Sequence, residues 1–431
     1  MLAALITLLL VGLILFGVPI AFSLLIAGAV GLFFSLGFAP LLGILKSAPY
    51  ATGSDFVLST IPMFILMAEL LAAGTIVRDI FQAGDRFFSH LKGGLAFATT
   101  IASALIAALM GSSPAAAATM SAIAVPEMRQ YGYKDKLSLG VVSAAGTLAV
   151  MIPPSIILIL YGILTETSIG KLFLAGVVPG LLTAGCFIAV IAIWVRTDKT
   201  IAPKSPPKHD LKERLRSLRR VYPALLLIML VLGGIYGGVV TASEAGALGA
   251  AGALVIGFLV GGLNRTSAKE AFIRAIKTSS MIFAIVVAAA IYGYFLSSTQ
   301  VIQDLIGWIE ALGLNRHVLL VVVLLVYLVL GAFLDPVSIL VITLPLGFPL
   351  MMNNGFDPVW FGIVVTKMVE IGLITPPVGM NVFVASAAVD GKISEGFAGV
   401  LPFVLCELCL ILLFVLFPEV ITYLPNLFYG A

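Results

Sequence analysis

The sequence predicts an all-α integral membrane protein made of two related halves, each carrying a re-entrant helical hairpin and a broken helix. Three observations predict it. The 431 residues are 61% hydrophobic and only 10% charged, with a mean hydropathy of +1.17, whereas soluble domains carry about 25% charged residues. Apolar runs long enough for a ~30 Å hydrocarbon core, which takes ~20 residues, recur along the whole chain. A set of Pro, Met and Gly positions also repeats at one fixed spacing.

The apolar runs cover, in order, 2–17, 18–37, 57–76, 94–126, 138–165, 172–195, 222–241, 243–262, 278–297, 317–352, 359–390 and 397–417. The first lacks a basic leading region and a cleavage site, so it is expected to be a retained span. Runs 94–126 and 317–352 are too long for one crossing. They break at Gly111-Ser112-Ser113-Pro114 and between Gly331 and Pro336. Such a run could be a long tilted helix, two spans, or a hairpin that enters and leaves on one side.

Charge decides between these. Region 196–220 holds nine Lys or Arg against three acids, which places it at the cytoplasmic face by the positive-inside rule. Counting backwards puts Arg129, Lys134 and Lys136 inside, and Arg78, Arg86 and Lys92 are basic too. Both ends of 94–126 are then cytoplasmic. Counting forwards puts Arg265, Lys269, Arg274 and Lys277 inside, and Asp304 and Glu310 outside. Run 317–352 is followed by Asn353, Asn354 and Asp357 without a basic residue, so its ends are expected outside. The two hairpins are thus expected to face opposite ways, with both termini on the outer side.

The internal repeat supports that reading. Pro126-x-Met128-x-x-x-Gly132-Tyr133 recurs as Pro349-x-Met351-x-x-x-Gly355-Phe356, an offset of 223 residues. The same offset carries Pro153-Pro154 onto Pro376-Pro377 and Ser112 onto Asp335. The expected organisation is a first inverted repeat over 1–195, a basic cytoplasmic linker over 196–220 and a second repeat over 221–431. Inverted-repeat carriers bind solute and ions near the midplane, at discontinuous helices.

A proline pair inside a span removes two N–H donors and frees carbonyls one turn earlier. In lipid such carbonyls survive only inside protein or beside a cavity. Na⁺ can satisfy them, so the candidate Na⁺ ligands are Ile152, Pro153, Thr375, Pro376 and Gly379, together with Gly111, Ser112, Ser113, Gly331 and Asp335 at the hairpin tips. Asp335 stands out, because an intramembrane carboxylate costs ~2.5–3.5 kcal/mol on insertion scales. It also fits an N-cap ahead of Pro336. Ser113, Ser155 and Asn381 are the candidate substrate contacts. Lys367 and Glu370, three apart, are expected to pair with each other. Glu69, Glu244 and Glu407 lack a sequence-near partner and remain open between a site and a subunit contact.

Other chemistry is excluded or weak. No nucleophile elbow, phosphate loop, zinc-protease or dinucleotide motif occurs, so no enzyme is expected. The three histidines lack ligand spacing, and Cys406 and Cys409 read as small residues of an apolar helix. No basic surface separates from the spans, which sets nucleic acid aside. Without an ATP-binding motif, active transport must draw on ion gradients, where ~2.3 kcal/mol is available per charge per 100 mV.

At these residues the chain resembles the large membrane subunit of tripartite ATP-independent periplasmic (TRAP) transporters, DctM type. The resemblance is carried by Gly111-Ser-Ser-x-Ala115 through Pro126-x-Met128, Ile152-Pro-Pro-Ser155, Leu172-Phe-x-Ala-Gly176-x-x-Pro-Gly180, Thr241-x-x-Glu-Ala245 and Glu370-Ile-Gly-x-x-Thr375-Pro-Pro-x-Gly379-x-Asn381. It implies the ion-transporter-superfamily fold and a Na⁺-coupled elevator importer in the bacterial inner membrane. It also implies two partners, a small DctQ-type membrane subunit as a separate chain and an extracytoplasmic DctP-type solute-binding protein. The cargo would be an organic anion such as a C4-dicarboxylate or a sialic acid. From another class, a channel or a binding-protein-independent carrier on the same architecture remains the alternative.

Overall fold

The computed structural model describes residues 2–88, 90–202, 209–311, 313 and 315–430, and among them the chain is helical with no strand. The first half runs α1 (Leu2–Leu15), α2 (Ile20–Leu36), α3 (Phe38–Gly53), α4 (Thr60–Ala72), α5 (Ile76–Phe88), α6 (Gly94–Met110), α7 (Ser113–Gln130), α8 (Asp135–Met151), α9 (Ile156–Thr165) and α10 (Ile169–Thr197). The second runs α11 (Leu211–Tyr236), α12 (Ala242–Leu259), α13 (Arg265–Ser298), α14 (Val301–Ala311), α15 (Arg316–Gly331), α16 (Pro336–Asn353), α17 (Pro358–Leu373), α18 (Met380–Ala387), α19 (Ile393–Leu416) and α20 (Glu419–Tyr429). Helices dominate because lipid offers no partner to a free backbone N–H or C=O.

The 223-residue spacing is visible as whole helices. Helices α6 to α10 start at residues 94, 113, 135, 156 and 169, and α15 to α19 start at 316, 336, 358, 380 and 393, offsets of 222 to 224. Two stretches differ from the sequence expectation. Residues 38–53, where Lys46 and two prolines interrupt the apolar pattern, form α3, which meets α4 at a 55° bend. The basic linker is shorter than expected, since α11 already begins at Leu211 and carries Lys212 to Arg220 on its first turns. Lys204, Lys208 and the side chain of Glu310 lie outside the described residues.

Two groups of helices share the molecule. In one, α13 packs on α2 and α4, and α12 packs on α4. Hydroxyl contacts pin this group at Thr60–Ser243 (2.6 Å), Thr7–Tyr292 (3.2 Å) and Ser35–Ser298 (3.1 Å). In the other group, hairpin α6–α7 packs on α8 and on α18, while hairpin α15–α16 packs on α17 and on α9. Each hairpin therefore rests on the first segment of its own broken helix and the second segment of the other half's. The groups meet where α4 touches α6 and α9, and where α13 touches α16.

Several basic segments converge. Lys134 Nζ donates to Thr200 Oγ1 (2.6 Å), Arg214 Nη2 lies 3.3 Å from His90 Nδ1, and Arg220 pairs with Asp79 at 3.7 Å. In the linker, Asp198 accepts from Thr200 N and Oγ1, which holds its carboxyl below the usual range.

Candidate functional site

The hairpin tips are built differently on the same plan. Helix α6 ends at Gly111, whose φ of +60° is left-handed and suits glycine. Ser112 is extended, and α7 starts at once with Pro114 in its first turn, where the missing N–H costs nothing. The Ser112 hydroxyl makes no capping bond. In the second hairpin Asp335 does cap α16. Its Oδ1 accepts from Ser338 N at 3.1 Å, and its Oδ2 accepts from Ser338 Oγ. The cap expected from Pro336 is present, and it coexists with exposure to a cavity.

That cavity, about 280 Å³, is lined by Gly111, Ser112 and Ser113 of the first tip and by Asp335 and Pro336 of the second. Facing the tips, part of its wall comes from α4 and α13, including Glu69 and Thr278, and Val150 of α8 with Ile156 and Ile157 of α9 lines it as well. The two tips, 223 residues apart in sequence, thus share one space between the two helix groups.

Each tip is bonded to the unwound segment of its own half. Ile156 N donates to the Gly111 carbonyl (3.4 Å), and Val378 N donates to the Ala332 carbonyl (3.3 Å). The Pro153-Pro154 and Pro376-Pro377 bonds are both cis. Close backbone approach accompanies the second contact: a Cβ on Gly331 would stand 3.0 Å from Gly372 Cα. Gly379, at φ +55°, starts α18, and Thr375 Oγ1 donates back to the Ile371 carbonyl at 2.6 Å. Ile152 packs beside Gly180 of α10.

The substrate candidates separate. Asn381 Nδ2 donates to Ser113 Oγ (2.6 Å) and to the Ser143 carbonyl (3.2 Å), so α18 is tied to the tip of the opposite hairpin. Ser113 lines the cavity, whereas Asn381 lies fully buried behind it. Ser155 stands apart from both, spending its hydroxyl on capping α9 through Leu158 N (3.3 Å).

The cavity's oxygen donors, the hydroxyls of Ser112 and Ser113 and the Asp335 carboxylate, suit a hard cation such as Na⁺, whereas the candidates Ile152, Pro153, Gly331, Thr375, Pro376 and Gly379 do not line it. Among the described residues, the buried atoms Ser143 Oγ, Thr366 Oγ1 and Asn381 Oδ1 find no hydrogen-bond partner. Ser143 and Thr366 are themselves 223 apart, on α8 and α17. A buried polar atom without a partner costs about 1–3 kcal/mol, and these two occupy equivalent positions of the repeat, although neither lines the cavity. Sequence reasoning passed over both; the offset alone could have found them.

The three open glutamates each find a partner. Glu244 completes a capping box with Thr241 at the start of α12. Glu69 accepts from Arg274 Nε at 2.7 Å. Glu407 joins Lys367 and Glu370: Lys367 Nζ lies 2.6 Å from Glu407 Oε2 and 3.2 Å from Glu370 Oε2, and it donates to Thr183 Oγ1 at 2.9 Å. Lys367, Glu370 and Glu407 are fully buried, so the expected pair is a charged triad of α17 and α19, tied to α10 through Thr183.

A family model described as "Tripartite ATP-independent periplasmic transporter, DctM component" matches residues 7–420. The chain is 37% identical to the C4-dicarboxylate TRAP transporter large permease protein of Pseudomonas aeruginosa, over 91% of this chain and 94% of that one. It is 33% identical to the protein of the same description from Vibrio cholerae, over 100% of this chain and 99% of that one. It is 31% identical to the sialic acid TRAP transporter large permease of Vibrio cholerae, over 97% of each. Among solved structures, the YdaH transporter of Alcanivorax borkumensis superposes with a TM-score of 0.61, covering 88% of this chain and 89% of that one. At 15% identity the likeness concerns the fold.

Proposed function

The chain belongs to the DctM family of tripartite ATP-independent periplasmic transporters, and from that premise we propose that it is the large membrane subunit of a Na⁺-coupled, binding-protein-dependent importer of an organic anion. As a transporter permease it is not an enzyme. The observation that carries the reading is the single cavity lined by both hairpin tips, with oxygen ligands on one side and a separate helix group on the other.

Na⁺ would be held by the tip hydroxyls and the Asp335 carboxylate. Such a site would supply coupling because the ion draws ligands from both hairpin tips, adding to the hydrogen bonds that Ser113 and Asp335 already make. The transported anion would lie beside it, between the hairpins and the wall formed by α4 and α13. In an elevator cycle the hairpin group slides past that wall, carrying its ligands with it. Relatives are described as carrying C4-dicarboxylates, sialic acid and isethionate; an anion of that class is the proposed cargo. A small DctQ-type membrane subunit and an extracytoplasmic solute-binding protein complete the proposed assembly, with the 196–220 segment cytoplasmic and both termini periplasmic.

The test is uptake of labelled succinate, N-acetylneuraminate and isethionate into proteoliposomes holding this chain and its small subunit. Each is measured with and without a Na⁺ gradient and with and without the binding protein. Uptake of one anion that requires both supports the proposal. Flux that needs neither points to a channel or an independent carrier.

A further inference from the structure

We propose that Arg274 is the anion-binding residue at the mouth of the cavity, and that Glu69 holds its guanidinium until a carboxylate of the transported anion takes Glu69's place. This rests on the organic-anion reading above. The difficulty it resolves is electrostatic. The cavity is lined by two carboxylates, Glu69 and Asp335, and by no basic residue. An organic anion entering such a space meets only like charge. Na⁺ can neutralise Asp335, but the wall of α4 and α13 needs its own cation.

Helix geometry supplies one. Residues four apart share a helix face, and Thr278, Met281 and Ile282 of α13 line the cavity. Arg274 is one turn before Thr278 and Lys277 one turn before Met281; of the two, Arg274 is the one that contacts a cavity-lining side chain, Glu69. Its Nε donates to Glu69 Oε2 at 2.7 Å, and its Nη1 lies 3.9 Å from Glu270. Glu69 is the cavity-lining member of the pair. The Arg274 side chain is 46% exposed, so the guanidinium has donors left over. A guanidinium presents five N–H donors in a planar fork that matches a carboxylate with two parallel bonds. The Glu69 contact uses Nε and Nη1 faces the more exposed Glu270 at 3.9 Å, which leaves Nη2 for an arriving anion. Arg274 does not itself line the cavity, but its partner Glu69 does, so an anion that displaces Glu69 would meet the guanidinium there.

The test uses the complex with its small subunit, in proteoliposomes, with whichever of succinate, N-acetylneuraminate and isethionate the wild type carries. Arg274→Gln should raise the apparent KM for the anion ~10- to 100-fold, the size of a lost charge-assisted hydrogen bond, while the Na⁺ concentration for half-maximal uptake stays put. Arg274→Lys should recover part of that loss. Glu69→Gln, which releases the guanidinium, should lower the KM. An unchanged KM in Arg274→Gln, in a complex that still co-purifies with the small subunit, overturns the assignment. So does equal loss in Arg274→Gln and Arg274→Lys with a shifted Na⁺ dependence, since that describes a structural pair. If the wild type carries none of the three anions with Na⁺, the underlying functional reading fails instead.

Discussion

The two halves repeat one plan, yet their central segments differ in what they are tied to. Pro153, Pro154 and Ser155 are buried, with Ser155 committed to capping α9. Pro376, Pro377 and Val378 are exposed, and nearby Phe333 and Phe383 show half their surface. The first hairpin is also stapled across to the second half. Asn381 binds Ser113, Ser121 Oγ donates to the Ala385 carbonyl (2.6 Å), and Arg129 Nη1 donates to the Val389 carbonyl (3.0 Å). The difference teaches that sequence equivalence sets where the backbone breaks, and that side-chain hydrogen bonds then decide which break is closed. Of the two, the second segment is the more exposed on the chain taken alone, and neither proline pair lines the cavity between the tips.

The largest effect expected from this comparison is at its sharpest point of asymmetry. Asp335→Ala should abolish Na⁺-dependent uptake while assembly with the small subunit survives, and the combined Ser112→Ala, Ser113→Ala change should do the same. Wild-type uptake with unchanged Na⁺ dependence would remove these residues from the site. Next comes the buried triad, which the first half lacks. Lys367→Met leaves two carboxylates buried without a counter-charge and should cost about 3–5 kcal/mol. Thermal unfolding of the purified complex would reveal it, and adding Glu370→Gln and Glu407→Gln should restore most of the loss. A smaller change is expected at the staple: Asn381→Ala should cost about 1–3 kcal/mol, against about 0.5 kcal/mol or less for Val378→Ala on the exposed segment. Equal costs at the two positions would erase the contrast. The smallest perturbation is a label. A cysteine at Val378 should react with a water-soluble maleimide in the purified complex, and one at Ser155 should not. Sidedness can be read the same way at Lys199, an exposed position of the linker that should react only from the cytoplasm. The linker's Ser217 is unsuited, because it is buried and bonded to the Arg214 carbonyl.

Much of this was legible in the sequence, for physical reasons. Two N–H groups cannot be lost inside a span without a break, so the proline pairs placed the unwound segments directly. Asp335 before Pro336 announced a helix start, and the repeat offset paired the hairpins. What stayed hidden depended on partners distant in the chain. Glu69 and Arg274 are 205 residues apart, and Glu407 meets Lys367 from another helix; neither contact leaves a periodic trace. Helix α3 escaped because Lys46 and Pro49 interrupt its apolar pattern, although a lysine can lay its stem along apolar surface and keep its ammonium in water. Helices α5 and α14 are short and amphipathic, so hydropathy alone does not mark them as spans.

The triad also bears on how the chain is made. Synthesis delivers α17 to the membrane before α19, and Glu407 follows Lys367 by 40 residues. During that interval Lys367 has Glu370 as its one carboxylate partner in the triad, with the Thr183 hydroxyl of α10, to offset a cost of ~2.5–3.5 kcal/mol for each charge near the bilayer centre. Early in biogenesis α17 is therefore weakly held in lipid, and the arrival of α19 supplies the contact that retains it. A chain truncated ahead of Glu407 should be cleared by quality-control proteases, even though both hairpins and both proline pairs have already been translated.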